Sequence, residues 1–443
     1  MNFEINVSKY VALIGHVQSG KTIEEINYTY SSIKQGIPVI FIVRNITADQ
    51  LQLKDRFKVV DLNIKILSHL SLKECVKCLE SVGVLIVLCN HHQLIKVKNV
   101  LCEYSGEYNL CIDEVDFSIK SKNGTSEIDY HLSHIKEGAN HILGATATPF
   151  ALFSNKSGLT KIKKIEPGNN YCGIESLNIE NVKPHITKDP RSDNDTIEQV
   201  YFRLLQKESC VLLHSVSKLK AYHNKLLNYT SNLFPEFTYI IYNGDGIRVK
   251  CNTRFSSEPF AKSISVNNYG QLINKYFQLH GNVHLFVNYS ISEVLQILKN
   301  DQYHDHKHIS IISGHLASRG ISFVSSDYSL HLTDQYFHPG SRSHGENLLQ
   351  SLRILGCYSF NKNITLWCHK KTWKDILEQN KIINTLVSNC DNDKNWFTKI
   401  QEININKPSR PTTRNKLVVG TKFIHTGDFN FKLSLNDENV TEF

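Results

Sequence analysis

No stretch of this chain approaches the roughly 20 consecutive apolar residues that a bilayer span requires, so a membrane protein is not expected. A cleaved secretory leader is not expected either. The opening MNFEINVSKYVALIGHVQSGKT has no basic segment leading into an apolar core and a small-residue cleavage site, and its apolar run ends directly in a glycine-containing loop. Cysteine is present but unorganised: the eleven thiols are odd in number and scattered, unlike a disulfide framework. Charge of one sign is scarce too. A net +8 spread along 443 residues is compatible with a polyanionic partner but does not select one. With 41% hydrophobic and 21% charged residues, what remains is a globular chain long enough for two domains and an appendage. Its expected place is the cytoplasm, or the nucleus or virion for a viral chain, and not the secretory route.

Metal-binding patterns are also thin. Cys75 and Cys78 have ligand spacing, and Cys89, His91, His92 and Cys102 could complete a zinc site, but there is no second C-x-x-C. SLKECVKCLESVG reads better as an amphipathic helix with buried thiols. The alternating His304, His306 and His308 read as a solvated loop entering a strand.

What is there is a series of short, β-branched apolar runs. YVALIG (10–15), PVIFIV (38–43), VGVLIVL (82–88), NLCID (109–113) and HILGAT (141–146) suit strands buried on both faces of a parallel sheet. The polar segments between them are long enough for crossover helices. Residues 156–198 turn rich in Gly, Pro, Asn, Asp and Lys, as a connecting segment does. A second series follows: CVLLHSV (210–216), VHLFVNY (283–289), HISIISG (308–314), YSLHLTD (328–334) and ITLWCHK (364–370). These boundaries predict an N-terminal α/β domain over 1–155 and a second over 199–384, with an insertion at about 225–280. Residues 385–443 form a small C-terminal extension with strands around VVGTKFIHT and FNFKLSL.

Chemistry enters with Gly15-His-Val-Gln-Ser-Gly20-Lys21-Thr22, which fits G-x-x-x-x-G-K-[ST] between a strand and a helix-compatible segment. Glycines let backbone amides curl round phosphate oxygens at a helix N-terminus. Gly15, Gln18, Ser19, Gly20, Lys21 and Thr22 are the expected nucleotide contacts, with Lys21 on the β- and γ-phosphates and the Thr22 hydroxyl on Mg²⁺. Downstream, Asp113, Glu114 and Asp116 cluster at a strand end. Asp113 suits the Mg²⁺ shell, and Glu114 suits the base that orients and deprotonates the attacking water.

In sequence order GHVQSGKT, IDEVD and GATATPF (144–150) resemble motifs I, II and III of superfamily II helicases and translocases. SGHLASRGISF (313–323) resembles motif V and LLQSLRILG (348–356) motif VI. A closer resemblance is to the Z-one domain ATPases, carried by Val17 to Thr22, Thr146 to Ala151, Tyr171 and Gly173, Ser318 to Ser322, and Gln350, Arg353 and Gly356. The resemblance implies a helicase core of two RecA-like parallel-sheet domains in tandem that hydrolyses ATP with Mg²⁺. It implies that Thr146 and Thr148 couple the site to domain motion, that Arg319 lies near the nucleotide, and that Gln350 and Arg353 face the γ-phosphate from the second domain. Two departures stand out. Motif VI aligns one arginine where common helicases place two, and Ser322 stands where many DEAD-box members have Asp.

The expected function is ATP-driven translocation or unwinding on nucleic acid, DNA before RNA. Candidate track contacts are Arg44, Asn45, Asn90 to His92, Ser215 and Lys218. Two other readings share the fold: the ATPase subunit of a nuclease or restriction-type system, or a replication or repair partner's motor, and a nucleotide-binding module that does not unwind. No convincing P-D…[DE]-x-K nuclease pattern is present, Asp189-Pro190 lying in polar linker sequence.

Overall fold

The computed structural model describes residues 9–57, 60–115, 127–149, 152, 159, 161–182, 194–215, 220–243, 246–251, 263–266, 272–280, 283–287, 289–301, 305–314, 321–337, 346–357 and 364–388. The chain divides into two compact units, one of Met1–Asn169 with Lys381–Asn406 and one of Asn170–Asn380 with Lys407–Phe443.

The first unit runs β1 (Tyr10–Ile14), α1 (Lys21–Lys34), β2 (Val39–Val43), α2 (Thr47–Arg56), β3 (Ile64–Ile66), α3 (Leu72–Glu80), β4 (Val84–Leu88), α4 (His91–Glu103), β5 (Asn109–Ile112), α5 (Glu127–Gly138), β6 (Ile142–Thr146) and β7 (Lys161–Lys164). Its seven strands are ordered β3-β4-β2-β5-β6-β1-β7, and every pairing among the described residues is parallel. Both faces are covered, which is why the strands read as continuous apolar runs. On one face Ile40, Ile42, Leu85, Val87, Leu110 and Ile112 meet Leu94 and Val97 of α4 and Leu132 and Ile135 of α5. On the other, Val39, Phe41, Val84, Ile86 and Cys111 meet Ile26 and Tyr28 of α1 and Leu53 of α2. Phe41 packs edge-on against Phe57 at 5.8 Å between ring centroids. Local chemistry sets the helix starts. Ser71 and Glu74 form a capping box on α3, and Asn90 caps α4 by accepting from Gln93 N at 2.9 Å.

The second unit contains β8 (Tyr171–Cys172), β9 (Asn178–Asn181), α6 (Asn194–Leu205), β10 (Cys210–Ser215), α7 (Lys220–Leu233), β11 (Thr238–Asn243), β12 (Gly246–Lys250), β13 (Ser263–Val266), β14 (Leu272–His280), β15 (Val283–Val287), α8 (Ile291–Lys299), β16 (His308–Ser313), β17 (Asp334–Phe337), α9 (Glu346–Gln350), β18 (Gly356–Cys357) and β19 (Thr365–Cys368), and α10 (Lys370–Ser388) begins in it and runs past Asn380, where that segment of the unit ends. Its large sheet is ordered β13-β14-β15-β12-β11-β16-β10-β17-β19-β9. Strands β11, β16, β10, β17, β19 and β9 are mutually parallel. Strands β12, β15, β14 and β13 extend it as antiparallel neighbours. VHLFVNY thus forms a strand, but an antiparallel one and not a member of a βαβ series. In the stretch read as an insertion, α7 and β11 belong to the parallel part and β12 to β14 to the antiparallel part.

One expected strand is displaced. YSLHLTD (328–334) is largely turn and bridge, and β17 begins where that run ends, at Asp334. The reason is polar. Asp334 is fully buried and accepts from Lys207 Nζ at 2.7 Å, Trp367 Nε1 at 2.8 Å and Thr333 Oγ1 at 2.8 Å, so this strand is pinned by hydrogen bonds and not by apolar alternation. His306 also departs from the expected solvated loop. Its imidazole is almost fully enclosed, with Nδ1 at 2.7 Å from Thr238 Oγ1 and Nε2 at 3.0 Å from Asp301 Oδ2. His304 and the strands expected in 385–443 lie outside the described residues.

Candidate active site

β1 ends at Ile14 and α1 begins at Lys21, so Gly15 to Gly20 form a six-residue loop between them. Gly15 has no room for a side chain: a Cβ there would lie 2.7 Å from Ser19 Oγ and 3.2 Å from Ile165 Cβ. Its amide donates to Thr146 O at 3.2 Å, and Ser19 N donates to His16 O at 3.2 Å. Gln18 and Gly20 both take left-handed backbone, at φ 58° and 95°. That is natural for glycine and costs a glutamine about 1–3 kcal/mol. Lys21 folds back over the loop, its Nζ donating to His16 O at 2.7 Å and Gly15 O at 3.3 Å. Ser19 is buried, and its hydroxyl oxygen has no hydrogen-bond partner among the described residues.

Strand order brings the acidic residues to the same place. β6 lies between β1 and β5 in the sheet, so parallel pairing delivers the loop, Thr146 and the Asp113–Glu114 pair to one end. Asp113 N donates to Ile42 O at 2.9 Å and Val115 N to Ala145 O at 2.9 Å. Between them Glu114 takes a left-handed φ of 50°, a second strained non-glycine among the expected site residues. Burial lifts the Asp113 carboxyl above the ordinary carboxylate range. The charge of Asp49 adds to the shift, while Arg44, Lys21 and Arg56 oppose it. Thr22 Oγ1 accepts from Arg56 Nη1 at 2.9 Å. Thr146 and Thr148 are fully buried, and Thr148 N donates to Thr146 Oγ1 at 2.9 Å.

Two residues here escaped the sequence reading, Arg56 and Glu25. Glu25 is completely buried on α1 and its carboxyl is pushed well above its usual range, first by burial and then by Asp113 and Glu114, with Lys21 and Arg56 pulling the other way. Nothing in the motif pattern marks either residue, because their partners are remote in sequence.

In the second unit the motif VI residues are wired into the backbone. Arg353 is buried; its Nε and Nη2 donate to Ile321 O at 3.0 and 2.7 Å, and its Nη1 donates to Gln350 O at 3.2 Å. Gln350 is buried on α9. Gln335, missed in the sequence, organises this end. Its amide donates to Ser351 O at 2.9 Å and Ser215 Oγ at 3.2 Å, and its carbonyl accepts from Ile354 N at 3.1 Å. Arg319, Lys218 and Asp116 lie outside the described residues.

One expectation changes. Arg44 is not a surface track contact: it is buried, with Nε and Nη2 each 2.7 Å from Asp49 Oδ2, so its charge is spent inside the unit. Asn45 and Asn90 are joined by a 2.8 Å hydrogen bond between their side chains. Of the zinc candidates, Cys75 and Cys78 are buried on α3 and Cys89 is buried after β4. Burial lifts the thiols of Cys78 and Cys89 to about 12 and about 11, away from the thiolate a metal needs. Among the described residues no group of three or more His, Cys, Asp or Glu is placed to hold a metal, and no helix is long and apolar enough to cross a membrane.

No family model and no curated protein matches the chain. Solved structures do. Dbp5 of S. cerevisiae bound to RNA and ADP BeF3 matches with a TM-score of 0.51 at 10% identity, over 90% of this chain and 90% of that one. A Dbp5 variant with the same ligands gives 0.50 at 10% identity, over 89% and 88%. The Mycobacterium smegmatis helicase Lhr bound to ssDNA and AMP-PNP gives 0.48 at 12% identity, over 84% of this chain and 46% of that one. With the two sheets described above, the likeness to Dbp5 shows a fold of two RecA-like α/β domains in tandem.

Proposed function

We propose that this chain is an ATP-dependent nucleic-acid translocase or helicase of the superfamily II type, related to its Z-one branch. The observation that carries the reading is the convergence of the Gly15–Thr22 loop, Thr146 and the Asp113–Glu114 pair at the carboxyl end of one parallel sheet, where ligands of such sheets bind. The residues present fit a phosphate with its divalent cation. The loop is too tight for a side chain at Gly15, the Ser19 hydroxyl is buried without a partner among the described residues, and the Asp113 and Glu25 carboxyls stand buried within the electrostatic reach of Lys21.

In this reading Gly15, Gln18, Ser19 and Gly20 wrap the phosphates, and Lys21 exchanges its carbonyl partners for phosphate oxygens. Thr22 and Asp113 hold the cation. Bound Mg²⁺ would supply charge neutralisation on the phosphates. Glu114 takes the proton of the attacking water. Gln350, Arg353 and Arg319 act from the second unit, with the guanidinium of Arg353 neutralising developing phosphoryl charge. The domain boundaries expected from the sequence, 1–155, 156–198, 199–384 and 385–443, frame this division of labour. The track is DNA before RNA, bound through phosphates and hence salt-sensitive. The steady-state ATPase rate with no nucleic acid, single-stranded DNA, duplex DNA and RNA tests the reading. Turnover stimulated by one of the polymers is expected. A rate equal in all four arms would contradict a nucleic-acid motor.

A further inference from the structure

Glu25 is the least explained residue of the first unit. It lies on the face of α1 that also buries Ile26, Tyr28, Thr29 and Ser32, and it is itself 0% exposed. Neither carboxylate oxygen meets a hydrogen-bond donor among the described residues. The Thr29 hydroxyl donates at 2.8 Å, but to the backbone carbonyl of Glu25 and not to its side chain. A buried, unpartnered carboxyl costs several kcal/mol, and packing alone gives no reason to keep one where leucine or glutamine would fit. The charged groups that act on it are Asp113, Lys21, Glu114 and Arg56, all of them at the loop end of the sheet. A second observation comes from α2. Arg56 places its guanidinium 2.9 Å from the Thr22 hydroxyl, so a positive group already stands at the oxygen assigned to the cation.

We propose that Glu25 is a positioning residue for the divalent cation, accepting hydrogen bonds from its bound waters, and that Arg56 holds the Thr22 hydroxyl until the cation displaces it. The proposal rests on the nucleotide reading above. It accounts for the orphaned oxygens, because a hydrated cation brings the donors they lack. It also accounts for Arg56, because a guanidinium and a divalent cation cannot both occupy one hydroxyl oxygen without strong repulsion. Carboxylates that orient a metal's shell in this way matter to affinity: removing one costs about 10–100-fold.

Equilibrium binding of a fluorescent ATP analogue to the full chain, titrated with Mg²⁺ and repeated in EDTA, tests this without recourse to turnover. Glu25→Gln is expected to leave EDTA affinity at the wild-type level and raise the Mg²⁺ midpoint about tenfold. Glu25→Asp, which keeps the carboxyl, is expected to shift it less and covers the case in which Glu25→Gln melts early. Arg56→Gln is expected to move the midpoint downward. Wild-type midpoints in folded Glu25→Gln and Glu25→Asp, with analogue binding intact, overturn the proposal and leave the nucleotide reading standing. Wild-type binding that does not respond to Mg²⁺ overturns the proposal alone, and absence of analogue binding with or without Mg²⁺ overturns both.

Discussion

The loop end of the first unit and the motif VI end of the second use the same kinds of residue in opposite ways. In the first, the Ser19 hydroxyl and both Glu25 oxygens are buried without partners among the described residues, and Gln18 and Glu114 hold left-handed backbone. In the second, Gln335 is bonded on both its amide nitrogen and its oxygen, and Arg353 is spread over two carbonyls. An unsatisfied buried group or a strained backbone is a place where a ligand can complete the structure, while a saturated network fixes geometry. In the proposed function, binding and chemistry belong to the first unit, and Gln335 and Arg353 hold local geometry within the second.

The largest effect that would sharpen this contrast is at Glu114. Glu114→Gln keeps the shape of the strained turn and removes only the base. Single-turnover hydrolysis is expected to fall about 10²–10⁴-fold with ATP binding retained. Normal hydrolysis would move the base elsewhere and break the assignment of chemistry to this turn. A smaller effect is expected at Gln335. Gln335→Leu removes the hydrogen bonds to Ser351 O, Ile354 N and Ser215 Oγ. At about 0.5–1.5 kcal/mol per lost hydrogen bond, the melting temperature should drop measurably while nucleotide affinity of the first unit is unchanged. A loss of affinity without a change in melting would reverse the two roles.

The parallel strands and the Gly15–Thr22 loop are readable in the sequence because each is a contiguous signal: a run buried on both faces, or four residues of fixed type within a span of eight. Signals carried by distant pairs were not readable. Ile64–Ile66 is too short to stand out as a strand. β17 opens Asp-Gln, and its burial is intelligible only once Lys207 and Trp367 stand beside Asp334. Arg44 read as a free surface cation because Asp49, which neutralises it, lies one helical turn into α2 and not beside it in the strand. Glu25 and Arg56 look like ordinary helix residues until the fold brings α1 and α2 together over one end of the sheet.

In the proposed function, hydrolysis by the first unit requires Arg353 of the second. Because Arg353 also bonds Ile321 O and Gln350 O, its loss costs stability as well, so activity must be scored on folded protein. The direct measurement is single-turnover ATP hydrolysis by Arg353→Ala, normalised to the folded fraction from thermal melting of the same sample, beside equilibrium ATP affinity. The account predicts affinity close to wild type, turnover lower by about 10³-fold or more, and poor rescue by Arg353→Lys, which lacks the planar fork. Folded Arg353→Ala protein with undiminished, nucleic-acid-stimulated hydrolysis would contradict it and leave the first unit an ATPase on its own.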